Sequence, residues 1–369
     1  GRPAPTRQDP RPSRSSRTRC DGTNLDEGGE SNDHEDDHSD SDESRSEPIV
    51  PNKIKSGEYT WTLRPPQYVK RDQRTEPRSK PSLNRGDQVL DSIDKLWTFL
   101  FPDGMLAKIV ARTNPKLQGL RPEDKKTDEG EILQWMGYAI AVSIHSGIPL
   151  DKMWSDTPQT ESLLPPPRLG RHGMSFRRFC RLRTVMTFGD EDAIKLSLDP
   201  WAFVRPLVDD FNDACVSKIN PGWLLSVDES MCAWRGREGV GDPRHCPKVS
   251  WVPRKPEPLG VEMKTTCDAE AGLLLRLEIC EGKLGHIHHE WYDDHGHTTA
   301  TTLRLCKPWF GSGRVVYGDS WFMGTKTVCE LKRNGLFAMG DVKTNTKGFC
   351  AKALKLATGP TDGDHALST

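Results

Sequence analysis

The stretch Leu224-Leu225-Ser226-Val227-Asp228 ends an apolar run with an acid, and Arg314-Val315-Val316-Tyr317-Gly318-Asp319 does the same later in the chain. Apolar and β-branched runs of this length predict strands. Neighbouring strands lie about 4.7–4.9 Å apart, so pairing of these two strands would bring the two carboxylates together. Two such carboxylates repel each other unless a cation lies between them. Asp228 and Asp319 therefore predict a Mg²⁺ site and phosphoryl chemistry.

Charge is unevenly distributed along the 369 residues, although their formal sum is −1. Residues 1–20 hold six arginines and one acid, residues 21–50 hold twelve acids and one base, and residues 51–369 keep 45 bases and 40 acids. Residues 1–86 are predicted to be a disordered tail and linker, basic over 1–20 and acidic over 21–50. Arginines in such a tail are typical of a nuclear address or a DNA-binding arm, and a solvated tail is the plainer alternative.

Several protein classes are excluded by what the chain lacks. Its ten cysteines are scattered without a C-x-x-C pair, so neither a zinc finger nor a redox motif is visible. It has no run of 18 apolar residues and no hydrophobic secretory segment at its start, so we expect no membrane span. A nuclear or cytoplasmic protein without a small-molecule substrate is the simplest interpretation.

The chain changes its periodicity near residue 220. Apolar residues at helical spacing predict that residues 87–219 are a mostly helical, DNA-binding part. The predicted N-caps are Asp103, Thr127 or Asp128, Ser175 and Asp199.

From residue 220 to residue 369 the pattern favours an α/β fold, a mixed sheet with flanking helices. A hairpin turns at Cys267–Gly272, an irregular insert covers 282–313, and a helix over 323–334 leads to a strand over 336–342.

Short blocks spread over some 270 residues carry a family resemblance. In chain order they are Arg112-Thr113-Asn114, Phe188-Gly189-Asp190, Asp199-Pro200, Pro221-Gly222, Ser226-Val227-Asp228-Glu229-Ser230-Met231, Trp234-Arg235-Gly236-Arg237, Lys255-Pro256, Cys267-Asp268, Gly318-Asp319-Ser320-Trp321-Phe322 and Lys343-Thr344-Asn345-Thr346-Lys347-Gly348. In this order and spacing, residues from about 88 to 355 resemble PiggyBac-type transposases and the transposable-element-derived proteins descended from them.

The resemblance implies a ribonuclease-H-like catalytic domain in which three acids bind two Mg²⁺ or Mn²⁺ ions. Asp228 and Asp319 match the first and second acids, whereas the family's third acid lies in a later helix. Asp341 lies where the family places no acid, and Asp362 and Asp364 lie in a Gly-rich tail. The two-ion site and the domain over 220–369 are therefore expected to be incomplete at the C-terminal end, with strand cleavage and transfer impaired.

Basic residues near the first acid are the candidates for contact with transposon terminal repeats. They are Arg235, Arg237, Arg244, Lys248, Trp251, Arg254 and Lys255, with Lys343 and Lys347 in a later turn. A solvated loop whose tryptophans fill the core is an equal alternative. The family resemblance also suggests a homodimer.

Two acidic or histidine-rich features receive a plainer interpretation. Glu229 follows Asp228 on a strand, so its side chain is expected on the opposite face, in an ion pair. The insert over 286–297 holds five histidines, and a polar loop is favoured there over a metal site. The leading function is thus a PiggyBac-like DNA transposase or its derivative, and the alternatives are a non-catalytic domesticated DNA- or chromatin-binding protein and a degenerate fragment.

Overall fold

A computed structural model describes residues 53–62, 79–145, 148–156, 168–189, 192–234 and 246–358. The described residues after Pro48 belong to one compact unit. None of the helices in these ranges has the length and apolar composition needed to cross a membrane.

Helices dominate the first half. In chain order the elements are β1 Lys53–Ser56, β2 Tyr59–Thr62, β3 Ser82–Leu83, α1 Ile93–Leu100, α2 Met105–Leu120, α3 Glu129–Ile144, α4 Phe176–Val185, α5 Ala193–Leu198 and α6 Arg205–Lys218, with 3-10 turns at Leu150–Trp154 and Leu169–His172. The helices α2, α3 and α4 enclose a core around Leu117, Tyr138, Phe179 and Leu182.

Local capping chemistry explains where two of these helices begin. Asp128 accepts a hydrogen bond from the Glu131 amide at 2.8 Å, and Ser175 accepts one from the Arg178 amide at 3.2 Å, as predicted. The predicted caps at Asp103 and Asp199 are wrong. Gly104 precedes α2 with φ of 69°, and Val204 precedes α6.

The disordered tail predicted for residues 1–86 is wrong where the structure describes it. β1 and β2 form an antiparallel hairpin. The indole of Trp61 donates a hydrogen bond to the Gly348 carbonyl at 2.7 Å. This bond joins the hairpin to the segment of residues 341–350. Residues 1–52 and 63–78 lie outside the described ranges, so their predicted disorder stays a prediction.

The second half is built on one mixed sheet. Its elements are β4 Ile219–Asn220, β5 Leu224–Ala233, β6 Ser250–Trp251, β7 Leu259–Asp268, β8 Leu273–Ile279, α7 Lys283–His286, α8 Tyr292–His295, α9 His297–Cys306, a 3-10 turn at Lys307–Trp309, β9 Val315–Gly318, α10 Thr325–Arg333, β10 Phe337–Gly340 and α11 Ala351–Thr358. The sheet order is β10-β9-β5-β7-β6, with β8 also paired to β7, and the separate strands β3 and β4 pair with each other.

The direction of the strands divides this sheet. β10, β9 and β5 run parallel, while β7 is antiparallel to β5 and forms the predicted hairpin with β8. Its core includes Leu225, Val316, Phe322 and Leu331. The predicted irregular insert over 282–313 is wrong, because α7, α8 and α9 lie within it and α9 is buried from Thr299 to Cys306.

Candidate metal and nucleic-acid site

Asp228 and Asp319 lie side by side at one edge of the sheet. β5 is parallel to β9 with Val227 opposite Gly318; Asp228 is the next residue of β5, and Asp319 directly follows the end of β9. Residues in register on parallel strands share a face and lie about 4.8 Å apart. A β-carbon at Gly318 would come within 2.8 Å of a Val227 methyl, so glycine is required for this close packing. The predicted pairing of these strands is confirmed.

The backbone turn after Asp319 fixes that side chain. Its Oδ1 accepts a hydrogen bond from the Trp321 amide at 2.9 Å, and its carbonyl accepts one from the Met323 amide at 2.9 Å. Phe322 and Met323 are buried in the core. The half-buried carboxylate of Asp319 is therefore held on a rigid turn between β9 and α10.

Asp228 is more exposed and interacts with its neighbour in the chain. Its Oδ1 accepts from the Glu229 amide at 2.8 Å, and its carbonyl accepts from the Thr265 hydroxyl at 3.0 Å. The pKa of Asp228 is raised, chiefly because its carboxyl is partly buried. The hydrogen bond and the charge repulsion of the Glu229 carboxyl raise this pKa further. A cation at this position would relieve that repulsion.

Glu229 is held by basic groups, as its predicted ion-pair role requires. Its Oε1 lies 2.6 Å from the Arg254 guanidinium and 3.3 Å from the Lys255 amine. Burial alone would raise the pKa of Glu229, but hydrogen bonds to Asp228 and Lys255 lower it to about 2. That strand alternation places the Glu229 side chain on the opposite face from Asp228 stays a prediction, although the two carboxyl groups shift each other's pKa.

Lys264 and Trp321 belong to the same site and were missed from the sequence. Lys264 lies opposite Glu229 on β7, is buried, and forms an ion pair with Glu262 at 2.8 Å. Its Nζ lies 3.8 Å from the centroid of the Trp321 ring, a cation–π contact behind the Asp319 turn. A lysine within a strand that also carries Val261 and Met263 was the available signal, and only the register shows what it faces.

The basic candidates divide into three groups. Arg235, Arg237 and Arg244 lie outside the described residues. Arg254 and Lys255 reach the Asp228 strand through Glu229, and the exposed Lys248 lines a cavity of about 390 Å³ next to Trp321. Lys343 and Lys347 are exposed in the turn after β10.

Trp251 lies in β6 at the edge of the sheet and is 64% exposed. The alternative that this tryptophan fills the core is therefore wrong. An exposed indole on a sheet edge is available for stacking on a base.

A third acid lies beside Asp319, on the side away from Asp228. Gly340 of β10 pairs with Gly318 in parallel register, and the Asp341 amide donates to the Gly318 carbonyl at 3.3 Å. Asp341 is thus about two strand spacings from Asp228. Among the described residues, Asp228 and Asp319 belong to no group of three or more Asp, Glu, His or Cys whose ligand atoms all lie within 4.8 Å of one another.

The predicted α/β fold class, a mixed sheet with flanking helices, is confirmed by the sheet topology and by the likeness to a solved structure. Residues 94–364 match the family model described as "Transposase IS4", and because this range covers most of the chain, the chain belongs to that family. The predicted resemblance to PiggyBac-type transposases is confirmed by this family match together with the fold of a solved piggyBac transposase.

That solved structure is similar in fold. It is described as "Cryo-EM structure of piggyBac transposase synaptic complex with hairpin DNA", and it matches with a TM-score of 0.61 at 21% identity. The match covers 76% of this chain and 56% of the piggyBac chain, so this chain spans little more than half of that protein's length. No curated protein matches the chain.

Proposed function

We propose that this chain is a DNA transposase of the PiggyBac type, or a derivative of one, that cleaves and joins DNA strands with divalent metal held by Asp228 and Asp319. The observation that carries the proposal is the parallel register of β5 and β9, which aligns the two acids at one sheet edge. Membership of a transposase family and the fold likeness to a transposase solved with hairpin DNA support it.

The two carboxylates fit one divalent ion. Mg²⁺ binds proteins through one or two carboxylates and keeps several waters, and Asp228 and Asp319 supply that set. Divalent ions in such a site lower the pKa of an attacking hydroxyl and stabilise the leaving oxygen. A second ion needs a further donor, and Asp341 is displaced from Asp228 by two strands. We therefore expect strand transfer to be weak compared with that of a site with three converging acids.

The neighbouring basic residues would place the DNA backbone. Lys255 and Arg254 lie at the Asp228 end of the site, bound to Glu229, and the Arg254 side chain is 72% exposed. A phosphate that approaches Asp228 and Asp319 would meet these cations first. The proposed partner is the DNA of transposon terminal repeats, bound by a homodimer in the nucleus.

The test is divalent-metal-dependent nicking of a duplex that carries the terminal repeat found beside the gene. We expect Asp228→Asn and Asp319→Asn each to abolish nicking without loss of DNA binding. Asp213→Asn, an exposed acid on α6, is the matched control and should nick like the wild type. Nicking by Asp228→Asn at the wild-type rate would overturn the proposal.

A second candidate is a non-catalytic domesticated DNA-binding protein. The absence of a third converging donor among the described residues favours it. In that case the wild-type chain would bind DNA as tightly as Asp228→Asn and would cleave it with neither Mg²⁺ nor Mn²⁺.

A further inference from the structure

The histidine-rich segment contains a compact group of three metal-ligating side chains. Glu278 lies near the end of β8, His286 ends α7, and His289 follows three residues later. One ligand atom from each lies within 4.8 Å of the others. We propose that Glu278, His286 and His289 form a second divalent-metal site, of the nitrogen-and-oxygen kind that takes zinc, separate from Asp228 and Asp319.

The spread of the three ligand atoms is close to what zinc requires. Zinc binds histidine nitrogen and carboxylate oxygen at about 2.0–2.2 Å, so tetrahedral ligands lie roughly 3.3–3.5 Å apart. Side-chain shifts of about an ångström would close the present arrangement. Three protein ligands leave a fourth position for water, as in sites that remain open on one side.

An independent observation points to a ligand at the same place. His286 is 4% exposed, and its buried Nδ1 has no hydrogen-bond partner among the described residues. The buried Nδ1 of His297 is also unpartnered, and the rings of these two histidines are 4.3 Å apart. Both rings line the cavity of about 390 Å³ that Cys280 also lines. Buried ring nitrogens are normally hydrogen-bonded or metal-bound, so these two indicate a missing partner.

The surroundings supply the outer contacts that metal ligands usually have. Arg304 donates to both oxygens of Glu278, at 2.8 and 2.6 Å, and fixes its carboxylate plane. A ligating carboxylate is commonly held by such a hydrogen-bonded partner. His289 lies 3.6 Å from Glu278 and 3.7 Å from Glu281, whose charge is balanced by Arg205.

These arginines also limit the affinity. Glu278 and Glu281 are already paired with Arg304 and Arg205, so a dication adds positive charge to a balanced cluster. We therefore expect zinc to bind more weakly here than in a closed four-ligand structural site. Its effect would be to join β8 to α7 behind the Asp319 turn, where the rings of His297 and Trp321 are 5.6 Å apart.

The experiment is a zinc titration of the whole chain after treatment with a chelator. Calorimetry measures the binding, and thermal unfolding measures the stability with and without zinc. We expect one zinc per chain and a rise in Tm on saturation. His286→Gln and His289→Gln should each weaken binding at least about 10-fold. His288→Gln, an exposed histidine between them, is the matched control and should bind like the wild type.

Two further readouts keep the outcome decisive. Asp228→Asn should bind zinc normally, which separates this site from the proposed catalytic one. Cobalt should give the visible absorption of a low-coordinate site in the wild type and lose it in His289→Gln, even where His286→Gln folds poorly. Two results would overturn the proposal and leave a metal-free hydrogen-bonded cluster. One is that the wild-type chain binds no zinc, and the other is that His286→Gln and His288→Gln bind zinc with equal affinity.

Discussion

Two neighbouring regions differ in how the sequence specifies their structure: the strand ends that carry Asp228 and Asp319, and the histidine-containing insert of residues 282–313. The strand ends follow short apolar runs, and each aspartate is fixed by bonds to residues within a few positions of it. The insert has no clear period, yet α9 is buried between the β7–β8 hairpin and α10. Local pattern determines the first region, whereas long-range packing determines the second.

The largest loss of stability should come from truncating a buried side chain of α9, the long helix of the insert. Leu305 is fully buried, so Leu305→Ala should lower the free energy of unfolding by about 2–5 kcal/mol. Leu198→Ala, at a leucine of α5 that is 82% exposed, is the matched control and should change it by less than about 0.5 kcal/mol. Urea unfolding measures both. Equal losses would mean that α9 is not part of the core and that the comparison fails.

This contrast shows how far the sequence could be used. The two strands, the hairpin around Cys267–Gly272 and the caps at Asp128 and Ser175 follow from alternation and local hydrogen bonding, and all were predictable. The insert was not, because its threonines and histidines are polar by composition. Thr299 and Thr327 satisfy each other's hydroxyl groups at 2.8 Å across two helices, and no local signal announces such a partner.

The candidate site divides in the same way. Asp228 and Asp319 could be named because strand ends in register converge. Lys264 and Trp321 could not, since their contact joins β7 to the turn after β9. The partners of Glu229 could not be named either, because Arg254 and Lys255 come from a later segment of the chain.

The next largest loss of stability should come from the ion-pair network that joins the start of α6 to Glu281, directly before the insert. Arg205 donates to Asp199 and to Glu281, both at 2.7 Å. The Arg205 hydrogen bond lowers the pKa of Asp199; for Glu281, burial raises the pKa but hydrogen bonds from His289 and Arg205 outweigh it. Because both folded-state pKa values lie below the ordinary 3.8 and 4.5, the stabilisation is complete above those values and is lost as pH falls through the folded-state values.

The variant Arg205→Gln should therefore be destabilised by about 1–2 kcal/mol at neutral pH, since the pairs are partly solvated. Its stability should fall less steeply than that of the wild type on acidification. Urea unfolding across the acidic range tests this, with Arg171→Gln, an exposed arginine paired with Asp156, as control. An unchanged acid slope in Arg205→Gln would show that these ion pairs do not stabilise the fold.

A smaller effect is expected at the sheet edge that we propose contacts DNA. Trp251 is exposed at the sheet edge, so Trp251→Ala should leave stability unchanged and weaken single-stranded DNA binding by about 1 kcal/mol, the low end for one stacked base. Trp97→Ala, at a partly exposed tryptophan of α1, is the control. Fluorescence anisotropy measures both. Equal affinities of the two variants would remove Trp251 from the interface.

The smallest loss of activity should come from replacing Asp341. This variant tests whether an acid at a third strand end belongs to the metal site. Asp341 extends the row of acids by one strand, but its exposed carboxylate lies beyond Asp319, about two strand spacings from Asp228. A screened charge at that position contributes less than about 1 kcal/mol, so Asp341→Asn should retain most of any nicking activity that Asp319→Asn loses. If Asp341→Asn and Asp319→Asn lost activity equally, three parallel strand ends would form the metal site, and the expected weakness of strand transfer would no longer follow.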